Sequence, residues 1–201
     1  MKLVCADLEG VFVPEIWINV AQKTGIDDLR LTTRDISDYD ELMQYRLKIL
    51  DKNGLKLDDI KEVIQNTDPL PGAKEFTQWI RENTQLIILS DTFEEFAKPL
   101  MEKLNYPALL CHSLKTDSSG RITDYVLRQN DQKTKAVNAF KSLNYKVFAF
   151  GDSYNDTGML KAADSSSFFC PPQKVLDEFP EIPSADNYEE LKTFIKKFLN
   201  E

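Results

Sequence analysis

Three short polar clusters carry most of the residues that are able to do chemistry, and each directly follows an apolar run. Asp7-Leu8-Glu9-Gly10 follows Leu3-Val4-Cys5-Ala6, Ser90-Asp91-Thr92 follows Leu86-Ile87-Ile88-Leu89, and Gly151-Asp152-Ser153-Tyr154-Asn155-Asp156 follows Val147-Phe148-Ala149-Phe150. Carboxylates gathered at one place repel one another and rise in pKa unless a cation sits among them. A cage of oxygen ligands favours magnesium or calcium over zinc. One cluster alone reads equally well as a helix cap, because Asp, Ser and Asn favour helix N-termini. Three in succession, each behind an apolar run, argue for chemistry.

The elements that must position these groups are legible as strands and helices in alternation. The three apolar runs are continuous rather than alternating, as expected of parallel strands covered on both faces. A weaker fourth strand is expected at Ser167-Phe168-Phe169-Cys170. Helical patterns fall at Ala73–Asn83, Glu94–Leu104, Thr134–Leu143, Asp156–Ala163 and Tyr188–Leu199, with Pro99 expected to end or kink its helix. This order predicts an α/β fold with a doubly wound parallel sheet. Ligands of such sheets bind at the carboxyl ends of the strands, where the three clusters lie. Residues 14–71 break the alternation with helix-like stretches at Glu15–Thr24, Tyr39–Asn53 and Asp58–Asn66, Gly25 and Gly54 being plausible stops. The block reads as a helical cap inserted into a core of residues 1–13 and 72–201. Ser113–Leu127 reads as a β-hairpin around Ser118-Ser119-Gly120.

Composition narrows the partners. The 201 residues carry a formal net charge of −8, which argues against nucleic acid as the main partner. No apolar run approaches the roughly 20 residues needed to span a bilayer, and the N-terminal residues do not read as a signal peptide. Cys5, Cys111 and Cys170 form no CxxC pair; buried reduced thiols and a cytoplasmic location are the expectation. The sole histidine, His112, reads as structural, and Trp17 and Trp79 read as core residues on helical faces.

The ordered clusters resemble the four motifs of the haloacid dehalogenase-like phosphatases. In that family an Asp nucleophile opens the first motif, a Ser or Thr follows the second core strand, a Lys comes third, and an acidic pair closes the set. The matching residues are Asp7, Ser90, Lys133, and Asp152 with Asp156. Within the family the chain is similar to the phosphoserine phosphatase branch, and most of all to its bifunctional members that also transfer phosphate to homoserine. The stretches that carry this likeness are Asp7 to Trp17, Leu89 to Phe93 and Gly151 to Thr157. The usual second Asp of the first motif is Glu9 here, one methylene longer.

The resemblance implies a Rossmann-like core and a Mg2+ site formed by Asp7, Asp152 and the backbone carbonyl of Glu9. Asp7 would accept the phosphoryl group, and Glu9 would act as acid and then base. Ser90, Asp91, Lys133 and Asn155 would surround the phosphate, and Asp156 would hold the metal through water or orient Lys133. Lys135 is the rival to Lys133 on composition alone. Arg46 lies inside the apolar stripe Met43, Leu47, Leu50, where a snorkelling arginine is the plain alternative to a substrate ligand. The phosphoserine phosphatases place a carboxylate-binding Arg here and an ammonium-binding Glu at the position of Glu15. The implied substrate is therefore a small phosphorylated amino acid, another small phosphomonoester being the runner-up. A Gly-Asp-Ser hydrolase needs a histidine after that block, and none follows Gly151. A phospho-accepting receiver would lack the helical insertion.

Overall fold

The computed structural model describes residues 1–32, 35–36 and 38–201. These form a seven-stranded sheet: β1 (Lys2–Ala6), β2 (Gln85–Phe93), β3 (Ala108–Thr116), β4 (Ile122–Val126), β5 (Lys146–Gly151), β6 (Ser165–Phe169) and β7 (Ser184–Ala185). The spatial order is β4-β3-β2-β1-β5-β6-β7, and all pairings are parallel except β3 with β4. After β1 the chain winds outward through β2 and β3, then returns to pair β5 on the other side of β1. That reversal makes the carboxyl end of β1 the switch point at which open α/β sheets bind ligands.

Helices cover both faces, so the strands are apolar on both. Val4, Ala6, Phe148 and Phe150 point into one core with Phe76, Ile80, Leu191 and Ile195, which belong to α4 (Ala73–Asn83) and α9 (Tyr188–Asn200). Their strand neighbours Leu3, Cys5, Val147 and Ala149 point into a second core with Val137, Met159 and Val175. These come from α6 (Gln132–Ser142), α7 (Thr157–Ala162) and α8 (Gln173–Glu178). The alternation within each strand follows from its period of two, and the architecture is the doubly wound, Rossmann-like sheet expected.

Between β1 and α4 the described residues contain only helices: α1 (Ile16–Thr24), a 3-10 turn at Asp27–Arg30, α2 (Tyr39–Lys52) and α3 (Leu57–Gln65). Gly25 caps α1 in the left-handed conformation (φ 71°), and Asp38 caps α2 by accepting from the Glu41 amide. Ile60, Ile64, Val20 and Met43 share the first core with Phe96 and Leu100 of α5 (Glu94–Lys103), which seats the helical segment against the sheet layer.

Several expectations are corrected. Pro99 does not end α5, which runs on to Lys103; the buried Phe96, Ala97, Leu100 and Met101 carry the helix past the missing N–H. The hairpin is present, but its first strand begins at Ala108, where it pairs in parallel with β2 before turning antiparallel to β4. Cys170 is exposed rather than buried, because β6 ends at Phe169 and Cys170 turns away with φ 46°.

Candidate active site

Asp7 is the first residue beyond β1, and its amide still donates to the Phe150 carbonyl of β5 at 3.0 Å. The strand pairing thus fixes the position of its carboxylate. The chain then doubles back, with Phe12 and Val13 amides on the Leu8 carbonyl and Gly10 at φ 72°. A side chain at Gly10 is barred twice, since a Cβ there would lie 2.5 Å from Asp152 Oδ2. The glycine therefore lets the first and third clusters meet.

Lys133, in the first turn of α6, is buried and reaches Asp7 Oδ1 and Asp156 Oδ1 at 2.8 Å each. Asp91 Oδ2 is 3.7 Å away. Burial alone would lower the lysine pKa, but Asp156, Asp7 and Asp91 hold it well above the usual range. Lys135 is exposed and takes no part. Asp156 is fully buried; its Oδ2 accepts the amides of Asp152 and Ser153 at 3.0 and 3.1 Å, so it faces Lys133 and the backbone. Burial, and then the charges of Asp156 and Asp152, push the Asp7 carboxyl well above the usual carboxylate range against the pull of Lys133.

Asp7, Asp152 and Asp156 each bring one oxygen within 4.8 Å of the others, and all three are buried. Three carboxylates crowded in a dry place repel one another. An all-oxygen donor set of this kind fits a hard divalent cation. Both Asp156 oxygens face Lys133 and the backbone, which turns that carboxylate away from direct binding.

One cavity of about 90 Å³ is lined by nine of the ten sequence candidates: Asp7, Glu9, Glu15, Arg46, Ser90, Asp91, Lys133, Asp152 and Asn155. The tenth, Asp156, lies behind Lys133. Glu9 Oε2 accepts the Ile16 amide at 2.8 Å, at the N-terminus of α1. Burial, then the neighbouring Glu15, raise the Glu9 pKa to about 8, and Arg46 and Lys133 moderate the rise. Arg46 is buried, not snorkelling. Its guanidinium lies 4.7 Å over the Trp17 ring and donates to the Leu31 carbonyl at 2.9 Å. Its Nε finds no hydrogen-bond partner among the described residues. Burial lowers its pKa to about 10, which leaves it charged at neutral pH.

The Asp91 carboxylate is an acceptor on every side. Asn155 Nδ2 donates to Oδ2 at 3.2 Å and Gln132 Nε2 to Oδ1 at 3.0 Å. Burial would raise its pKa, but Lys133, His112, Gln132 and Asn155 together hold it well below the usual range.

Trp17 was expected in the core; it packs edge-on against Phe96 yet also lines the cavity beneath Arg46. Tyr39 and Leu42 line it too, and their spacing to Arg46, i, i+3 and i+7, marks a single helical face. His112 and Gln132 carried no sequence signal for the site, because tertiary folding alone brings them to Asp91.

Known proteins resemble this chain in sequence and in fold. Residues 2–164 match the haloacid dehalogenase-like hydrolase family, and the chain belongs to that family. Among its relatives is phosphoserine phosphatase ThrH of Pseudomonas aeruginosa, 58% identical over 192 residues, covering 96% of this chain and 94% of that protein. A phosphoserine phosphatase of Pseudomonas syringae pv. tomato is 56% identical over 197 residues, covering 98% of this chain and 83% of that protein. The crystal structure of a phosphoserine phosphatase in apo form superposes with a TM-score of 0.77 at 20% identity, covering 95% of this chain and 98% of that one. At that identity it supports the fold.

Proposed function

We propose that this chain is a Mg2+-dependent phosphoserine phosphatase that passes the phosphoryl group through Asp7 and delivers it to water or to homoserine. The observation that supports it best is the set of side chains lining the cavity of about 90 Å³. Its lining combines Asp7, Ser90 and Lys133, suited to a phosphoryl group, with Arg46 and Glu15, suited to a carboxylate and an ammonium. A cavity of this size suits a small molecule. The 58% and 56% identical relatives bear the same activity in their names. The helical segment of residues 14–71 supplies Glu15, Tyr39 and Arg46 and serves as the cap. Reduced thiols at Cys5, Cys111 and Cys170 fit a cytoplasmic enzyme.

The steps follow from the residues. The Asp7 carboxylate attacks phosphorus, and the serine oxygen leaves with the proton of Glu9. Ser90 and Lys133 donate to the phosphoryl oxygens, and Asp156 holds Lys133 in place. Glu9, now ionised, takes the proton of the acceptor hydroxyl as it attacks the aspartyl-phosphate. Magnesium held by Asp7, Asp152 and the Glu9 carbonyl would neutralise phosphoryl charge. Homoserine as acceptor is held by its own charged groups, so binding supplies the placement that water must obtain from the base.

The test is phosphate release from a panel of phosphomonoesters, repeated with homoserine present. Phosphoserine is expected to be preferred, phosphohomoserine to form alongside free phosphate, and Asp7→Asn to abolish both while remaining folded. A folded Asp7→Asn protein with near-normal turnover refutes the nucleophile. Wild type that makes no phosphohomoserine at saturating homoserine is a phosphatase alone. Glu9→Asp is expected to shift the partition toward water.

A further inference from the structure

β2 is irregular at the place where it carries Ser90. Leu89 pairs with Leu110 of β3 and Phe93 pairs with His112, so β2 passes Ser90, Asp91 and Thr92 while β3 passes only Cys111. Such a bulge takes backbone groups out of the ladder, and buried carbonyls need other donors. Side chains from elsewhere supply them. Gln132 Nε2 donates to the Ser90 carbonyl at 2.5 Å, and the Tyr39 hydroxyl donates to the Asp91 carbonyl at 2.9 Å.

Gln132 does more than satisfy one carbonyl. It is 2% exposed and directly precedes Lys133 at the start of α6. The same Nε2 donates to Asp91 Oδ1 at 3.0 Å. Its Oε1 is gripped by Arg128 through Nε at 3.1 Å and a terminal nitrogen at 2.9 Å, which fixes the amide's orientation. His112 closes the network: Nδ1 accepts the Arg128 amide at 3.1 Å and Nε2 faces Asp91 Oδ1 at 3.5 Å. With Oδ1 tied down, Oδ2 of Asp91 is aimed at Asn155 and Lys133.

We propose that Gln132, held by Arg128, is a positioning residue for phosphoryl transfer: it locks the Ser90–Asp91 bulge, presenting the Ser90 hydroxyl directly and, through Asp91, Lys133 and Asn155. In this arrangement the Asp91 side chain orients the donors around the phosphoryl group rather than gripping it. The inference rests on the phosphatase reading above. It differs from a packing role because its cost falls on the chemical step. Small misplacement of groups that stabilise a transition state costs up to about 100-fold in rate.

The experiment compares kcat and KM for phosphoserine, and Tm, in wild type, Gln132→Leu, Gln132→Glu, Arg128→Met and the Arg128→Met/Gln132→Leu double variant. Gln132→Glu keeps the Arg128 grip but sets an acceptor against the Ser90 carbonyl. Arg128 is exposed, so its variant tests the network without disturbing a core. Expected are a fall in kcat of about 10- to 100-fold for both Gln132 variants, about threefold for Arg128→Met, and KM within threefold throughout. The double variant is expected to be no slower than Gln132→Leu, since Arg128 acts through Gln132. Unchanged kcat in a folded Gln132 variant, or a double variant in which the two losses multiply, overturns the inference. If neither Gln132 variant folds, unchanged kcat in Arg128→Met overturns it. Each of these outcomes with an active wild type leaves the phosphatase reading standing; an inactive wild type or an active Asp7→Asn counts against that reading instead.

Discussion

Replacing Arg46 with alanine separates substrate recognition from the chemical step. The guanidinium is buried, stacked on Trp17, bonded to the Leu31 carbonyl and the Met43 sulfur, and its Nε has no partner among the described residues. A buried cation with unused donors is suited to an anion, and the α-carboxylate of a phosphorylated amino acid supplies one. A hydrogen bond to a charged group contributes about 1.5–3 kcal/mol. At about 1.4 kcal/mol per tenfold, Arg46→Ala is expected to raise KM for phosphoserine roughly 10- to 150-fold. Phosphoethanolamine has the same phosphate and ammonium but no carboxylate, so its KM is expected to change by less than about threefold. Arg46→Lys keeps the charge without the planar fork and falls between. The variant also carries an internal check. Arg46 holds the Glu9 pKa down, so its removal is expected to move the alkaline limb of the rate upward in pH. Equal KM losses on both substrates, with that limb unmoved, would show that Arg46 acts through packing and refute the reasoning.

Exhaustive chelation is expected to abolish turnover, magnesium to restore it and calcium to inhibit, because calcium accepts more ligands and a looser geometry around Asp7 and Asp152; full activity after chelation would refute the metal reading. In the proposed mechanism Glu9 acts first as an acid, and a pKa raised to about 8 keeps it protonated at neutral pH. Single-turnover release of serine is therefore expected to have an alkaline limb that falls about tenfold per unit, and Glu9→Gln is expected to be slower and to lack that limb. Gly10→Ala forces a Cβ against the Asp152 carboxylate in a left-handed backbone, so the Kd for magnesium, read by calorimetry, is expected to weaken by at least about tenfold.

The parts of this molecule legible in the sequence are those that depend on neighbouring residues. α4 spans Ala73–Asn83 as its periodicity predicts, and the three apolar runs that form β1, β2 and β5 lie where buried parallel strands were expected. Polar clusters at their ends announced the site because strand ends are few and the clusters are short. What has no local signature depends on contacts distant in sequence. β3 serves two partners in opposite senses, so its first half, Ala108–Cys111, has no hairpin signature. Cys170 belongs to an apolar run that outlasts its strand by one residue. Trp17 presents one edge to Phe96 and its ring to Arg46, and no periodicity separates these uses. Gln132, Arg128 and His112 converge on a bulge in β2, a feature with no local mark.

Glu9 ties these levels together. A carboxyl one methylene longer than Asp reaches the Ile16 amide, the first of the unpaired donors at the N-terminus of α1. The residue expected to move protons at the nucleophile's strand end is thereby bonded to the first helix of the cap. Glu15, the expected ammonium ligand, immediately precedes that helix, and its charge raises the Glu9 pKa. A substrate ammonium beside Glu15 would offset that repulsion and lower the Glu9 pKa, readying it to act as base once an amino-acid acceptor is bound. Water brings no such cation. In the proposed transfer to homoserine, the acceptor's ammonium would thus favour ionised Glu9, an electrostatic effect in addition to placement.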